Sequence, residues 1–187
     1  MVWGVIGHEI LKNILAKHIE DKDTLWLLGR VIDSFPLSTK LTAGNLVDIR
    51  LPLGNLTSQL LVNIYMNEFD HFVKMELKAK YYIRYADDFV ILSEDKKYLE
   101  NMLLKMAEFL ENRLKLKLHP DKVFIKTIAS GVDFLGWVHF PHHRVLRTAT
   151  RRRMLKNLRH DPKKESIESY RGMLSHGDAF GLSRDFL

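Results

Sequence analysis

Apolar residues recur along this chain with two different periods, and each change of period marks an element. Ile10, Leu11, Ile14, Leu15 and Ile19 repeat at helical spacing; after the break at Asp21-Lys22-Asp23, Leu25, Leu28, Val31 and Ile32 do so again. This predicts two packed helices. Pro36 ends the second, a polar stretch runs to Asn45, and Leu46-Val47-Asp48-Ile49 reads as a strand. Leu51 to Asn55 form a turn, with Asn55, Thr57 or Ser58 available to cap a helix whose apolar face is Leu60, Leu61, Ile64, Tyr65, Phe69, Phe72 and Val73. Tyr81-Tyr82-Ile83-Arg84 and Phe89-Val90-Ile91-Leu92 are strand-like arms of a hairpin. Beyond it, Tyr98, Leu99, Met102, Leu103, Met106, Phe109 and Leu110 predict a long amphipathic helix. Strand candidates follow at 116–119, 123–125 and 134–138, and the end of the chain is helical and strongly basic. The order contains no repeat or low-complexity segment, and the fold class it implies is α+β.

At the bend of the hairpin stand two adjacent carboxylates, Asp87 and Asp88. Aspartate is a poor strand former and costly to bury unpaired, so a cation is the economical reason for both. Magnesium fits: it takes one or two protein carboxylates and leaves its other positions to water and substrate phosphates. Two such ions about 3.5–4 Å apart stabilise the attacking and leaving oxygens of an in-line phosphoryl displacement. Side chains alternate along a strand, so Asp87 and Asp88 diverge unless the bend lies between them, and Asp87 is expected as the principal ligand. Taken alone, however, the dipeptide is equally a polar hairpin turn. Glu94 and Asp95, at the far end of the strand, read as a helix N-terminal pair favoured by the helix dipole.

Composition narrows the setting. The 187 residues, 46% hydrophobic and 28% charged, suit one domain or one and a fraction with a real core. No apolar run reaches the length of a membrane span, and the N-terminus lacks the flanks of a signal peptide, so no membrane association and a cytoplasmic location are expected. Zero cysteines exclude disulfides and thiolate metal sites. A net charge of +6 leans towards a polyanionic partner. Its focus is Arg144, Arg147, Arg151, Arg152, Arg153, Lys156 and Arg159, where acidic residues are sparse until Glu165 and Glu168. Phosphate gripping is favoured there over a solvated helix face. His139, His142 and His143, around Pro141, read as a polar turn rather than a zinc site.

In sequence order, five stretches together resemble a known family. Leu53-Gly54-Asn55-Leu56-Thr57-Ser58-Gln59, at a helix start, is similar to the nucleotide-binding palm motif of bacterial reverse transcriptases. Tyr85-Ala86-Asp87-Asp88 resembles their catalytic hairpin. Leu116 to Lys126 resembles the next palm motif, whose lysine, here Lys122, lies near the incoming phosphates. Phe134-Leu135-Gly136-Trp137 resembles the primer-grip hairpin, and Ser169 to Gly177 is similar to the thumb helix of the retron, group II intron and diversity-generating branches. Each motif alone is weak, and the weight rests on their order and spacing. Leu53-Gly54 together with Ser58-Gln59 is the form of the diversity-generating branch.

The resemblance implies a polymerase palm over residues 1–143, an antiparallel sheet backed by helices, followed by the helical beginning of a thumb over 144–187. It implies RNA-directed DNA synthesis, with Asp87 and Asp88 holding magnesium, two ions in the complete enzyme and manganese as a substitute. Gly54, Asn55, Ser58, Gln59 and Lys122 would bind the deoxynucleoside triphosphate. Tyr85, Ala86, Leu135, Gly136, Trp137, Arg151, Arg152 and Arg153 would contact an RNA template and DNA primer. The diversity-generating relatives also work with a small basic accessory protein. His8-Glu9-Ile10-Leu11 matches the helix that follows the family's first catalytic aspartate, and Val2-Trp3 stand where paired aromatics belong. Counting back puts that aspartate, and the fingers, before Met1, so the chain reads as a fragment that does not polymerise alone. The other readings are a nucleic-acid-binding remnant without chemistry and a different palm-fold enzyme such as a nucleotide cyclase; Ser58-Gln59 and Tyr170-Arg171-Gly172 argue against the cyclase.

Overall fold

A computed structural model describes residues 2–4, 6–34, 56–160 and 164–177. The strand expected at Leu46–Ile49, the turn from Leu51 to Asn55, and with it Gly54 and Asn55, lie outside the described residues. The chain divides into two compact units, Met1–Ile125 and Lys126–Leu187.

In the first unit β1 (Val2–Gly4) leads into α1 (His8–Ala16) and α2 (Lys22–Asp33), the two helices that the apolar period predicts. Asp21 caps α2, its carboxylate accepting from the Thr24 amide at 2.7 Å. α3 (Leu56–His71) runs into a π-helical turn, Phe72–Glu76, closed by the Leu77 amide on the Phe72 carbonyl at 3.0 Å. The hairpin follows as β2 (Tyr81–Tyr85) and β3 (Asp88–Leu92), paired antiparallel from Tyr81↔Leu92 to Tyr85↔Asp88. α4 (Lys96–Leu114) starts at Asp95, whose carboxylate accepts from the amides of Lys97 at 2.8 Å and Tyr98 at 3.2 Å, as the N-terminal reading of that residue expects. β4 (Leu116–Leu118) pairs antiparallel with β1.

The core of this unit gathers the predicted helical faces, with Leu11, Ile32, Tyr65, Phe69, Val73, Leu110 and Leu114 almost wholly buried. Phe69 of α3 sits at its centre, its ring 5.2 Å from Phe89 of β3, 6.2 Å from Phe109 of α4 and 6.4 Å from Tyr82 of β2. One face of the hairpin is therefore nailed to the helices by aromatic contacts. The other face, Tyr81, Ile83, Tyr85 and Leu92, is exposed. Tyr65 adds a polar tie, donating from its hydroxyl to the carbonyl of Leu114 at 2.6 Å.

The second unit is a three-stranded antiparallel sheet, β5 (Val132–Phe134), β6 (Trp137–His139) and β7 (Arg144–Leu146), followed by α5 (Thr148–His160) and α6 (Lys164–Leu174). Trp137, Leu146, Met154, Leu158 and Leu174 form its own core. Gly177 lies so close to the Trp137 indole that a Cβ there would come within 2.0 Å of the ring.

The α+β class holds, and two local expectations do not. Residues 123–125 are not a strand: Pro120 opens a 3-10 turn, Pro120–Lys122, which redirects the chain just after the β1–β4 ladder ends at Leu118. Residues 134–138 are not the one strand that the apolar run predicts but a hairpin, as the resemblance implies at Phe134–Trp137, because Leu135 and Gly136 adopt φ of +53° and +83° and reverse the chain. The described strands of the first unit also form two separate two-stranded ladders rather than one sheet.

Candidate active site

The two carboxylates sit where the hairpin turns. Tyr85 pairs with Asp88, so the loop is Ala86-Asp87, and Ala86 takes a left-handed φ of +52°. A side chain in that region costs about 1–2 kcal/mol, so the surrounding structure must hold it there. Asp87 is a loop residue and Asp88 the first residue of β3; both are half-buried. Tyr85, before them, is 65% exposed.

Arg84 holds the turn. Its side chain is only 10% exposed and forms a two-pronged ion pair with Asp70 of α3, Nε to Oδ1 at 2.7 Å and Nη2 to Oδ2 at 2.6 Å. Nη1 donates to the Ala86 carbonyl at 2.7 Å and to Asn63 Oδ1 of α3 at 3.2 Å. The Tyr82 hydroxyl donates to Asp70 Oδ1 at 2.6 Å. Burial, and then the Asp70 carboxylate, push ionisation of Tyr82 far above the ordinary tyrosine range, and the hydrogen bonds to Asp70 raise Arg84 above its ordinary value. Sequence reasoning missed Asp70, Arg84 and Asn63. The signal was present: Tyr82 and Arg84 share the inward face of β2, and a cation turned towards a core needs a carboxylate.

Among the other residues proposed from the sequence, Ser58 is 4% exposed in the first turn of α3, its hydroxyl without a hydrogen-bond partner among the described residues. Gln59 beside it is exposed, and Lys122 is exposed on the 3-10 turn after β4. In the second unit Leu135 is 47% exposed at the tip of the β5–β6 hairpin, with Gly136 next to it. Trp137 is 8% exposed, and its indole belongs to the core of this unit. Arg151, Arg152 and Arg153 line the first half of α5 and are exposed. Two other residues of the basic group are engaged internally: Arg147 pairs with Asp133 at 2.9 Å, and Arg144 lies 5.3 Å from the Trp137 ring centre and donates to the His176 carbonyl. His142 and His143 belong to the β6–β7 turn, where His143 stacks on Phe140 at 4.8 Å. Among the described residues no group of three His, Cys, Asp or Glu is placed to hold a metal, and no helix is long and apolar enough to cross a membrane.

The α+β fold of the first unit thus presents adjacent carboxylates at the turn of a helix-backed hairpin. The chain belongs to the reverse transcriptase (RNA-dependent DNA polymerase) family, whose model matches residues 6–139. It is 26% identical over 181 residues to Protein YkfC of Escherichia coli, a match covering 80% of this chain and 45% of that protein. It is 22% identical over 190 residues to a Saccharomyces cerevisiae protein named for intron 2 of COX1/OXI3, covering 72% of this chain and 22% of that protein. The chain thus spans less than half the length of either relative. Nucleic-acid template and primer are the substrates of the family, which is generally dependent on a divalent metal.

Proposed function

We propose that this chain supplies the metal-holding hairpin of the palm, within residues 1–143, and the start of the thumb, within 144–187, to an RNA-directed DNA polymerase. Its Leu53–Gln59 motif favours the diversity-generating branch, in which a small basic accessory protein is a partner. The observation that carries the reading is the hairpin turn: Asp87 and Asp88 are adjacent, half-buried and oxygen-only, while the neighbouring cation, Arg84, is committed to Asp70 and the Ala86 carbonyl. That donor set suits magnesium or manganese. Asp87 and Asp88 would hold such a cation, which would supply charge neutralisation at a transferring phosphoryl group and favour the ionised primer hydroxyl.

The chain's own residues bind and orient. Asp87 and Asp88 fix the cation's place at the hairpin tip, and the exposed Tyr85 ring packs beside the primer terminus. Gln59, at the start of α3, meets the nucleotide, as do Gly54 and Asn55 of the same sequence motif, and Lys122 meets its phosphates. Leu135 and Gly136 at the β5–β6 tip, and Arg151, Arg152 and Arg153, follow the primer–template backbone. A two-metal site also needs a carboxylate from another strand, which a single hairpin does not provide.

Titration with Mn²⁺, read as loss of the free-ion paramagnetic signal, tests the site: binding should be weakened by about tenfold or more in Asp87→Asn. Identical Mn²⁺ binding by the wild type and Asp87→Asn would remove the basis of this reading. In primer extension on an RNA template, the 187-residue chain by itself is expected to make no product; synthesis abolished by Asp87→Ala would instead show that the site is complete within it.

A further inference from the structure

The contacts of Arg84 go beyond clipping the hairpin to a helix. Two of its nitrogens satisfy Asp70, while the third reaches along its own strand to the Ala86 carbonyl at 2.7 Å. That carbonyl belongs to the peptide plane whose other side is the Asp87 amide. Fixing it fixes the direction in which Asp87 leaves the backbone, at a turn where Ala86 is held at φ +52° against its own preference. Asp70 is itself held by the Tyr82 hydroxyl at 2.6 Å, and Asn63 takes the remaining Arg84 contact at 3.2 Å. We infer that Arg84 and Asp70 are positioning residues for cation binding: anchored on α3, they set the peptide plane ahead of Asp87 and so preorganise its carboxylate.

The inference rests on the reading that Asp87 and Asp88 hold a divalent cation, and adds to it a set of residues that touch neither cation nor substrate. The chemistry of the guanidinium is essential. Its flat fork answers both oxygens of Asp70 and still has a nitrogen for the Ala86 carbonyl. A lysine ammonium can keep the charge pair with Asp70, and with it the attachment of hairpin to helix, but not that whole geometry. Arg84→Lys therefore separates holding the hairpin from aiming the turn. Ala86→Gly separates them in the opposite way, because it leaves the Arg84–Asp70 pair intact and removes the strain, so that the turn no longer has one enforced conformation.

The test is Mn²⁺ titration of the full chain, with thermal melting of each variant. Arg84→Lys is expected to weaken Mn²⁺ binding by about tenfold, the order seen when outer partners of a metal ligand are removed. Ala86→Gly is expected to weaken Mn²⁺ binding by about threefold while melting at or above the wild-type temperature, a combination that lost stability cannot produce. Wild-type affinity in Ala86→Gly, or in a folded Arg84→Lys, overturns the positioning role. If Arg84→Lys fails to fold, Ala86→Gly decides alone. Failure of the underlying cation reading looks different: the wild type would then show no Mn²⁺ binding sensitive to Asp87→Asn.

Discussion

Single residues in the first unit carry polar ties whose loss can be measured. The Tyr65 hydroxyl is buried, donates to the Leu114 carbonyl at 2.6 Å and lies 3.4 Å from the Gly7 amide, so it joins α3 to the end of α4 and the start of α1. Tyr65→Phe should lower stability at neutral pH by about 1–1.5 kcal/mol in denaturant unfolding. Burial pushes the Tyr65 hydroxyl up to about 12 from 10.0. A raised folded-state value means a contribution fully present below the unfolded value and lost as pH rises through the folded one. Wild-type stability should therefore fall between about pH 10 and 12, and Tyr65→Phe should show less of that fall. At this scale Asp87 and Asp88 stand out in the sequence, since two acids among apolar neighbours need an explanation, and the structure puts them at the hairpin turn. The sequence concealed the pair of Asp70 and Arg84, fourteen positions apart on different elements, because ion pairing across a fold leaves no local period.

Among elements, helices were legible and short strands less so. The apolar spacing located α1, α2, α3 and α4 because each helix satisfies its own backbone and shows one face to the core. Ladders depend on distant partners: nothing local to Leu116–Leu118 announces pairing with Val2–Gly4, and nothing local to Val123 announces that no ladder continues there. The β5–β6 hairpin turns where the apolar run by itself reads as a continuous strand. Two successive positive φ values are those of a turn that favours Asn-Gly, yet the first position holds Leu135, exposed and apolar. Leu135→Asn should raise the stability of the second unit by about 0.5–1 kcal/mol, read by thermal melting, because it relieves strain without removing core. A stability-neutral or harmful result would mean that the Leu135 side chain contributes packing that its exposure does not suggest.

For the whole molecule, charge is the property with the widest reach. With +6 net charge and three adjacent exposed arginines on α5, association with a nucleic-acid duplex should weaken linearly on a log–log plot against salt. Replacing Arg151, Arg152 and Arg153 together with alanine should lower that slope by up to about three, roughly one for each phosphate no longer neutralised, in fluorescence anisotropy with an RNA–DNA hybrid. An unchanged slope would place the duplex-binding surface elsewhere. Composition pointed to a polyanion partner, but could not separate arginines without a carboxylate beside them among the described residues from one that is exposed yet paired within the second unit, Arg147 on Asp133.

The π-helical turn at Phe72–Glu76 bears on how this molecule can change over generations. It ends α3 with a turn one residue longer than an α-helical one, so it stores a spare codon just before the hairpin. Met75, within it, is 69% exposed. A lineage could drop that codon, tighten the turn to an ordinary one, and keep Phe69 under Phe89. The same loss within Leu61–Phe69 would rotate every buried side chain after it off the core. The stretch leading to the hairpin thus contains its own tolerance for length.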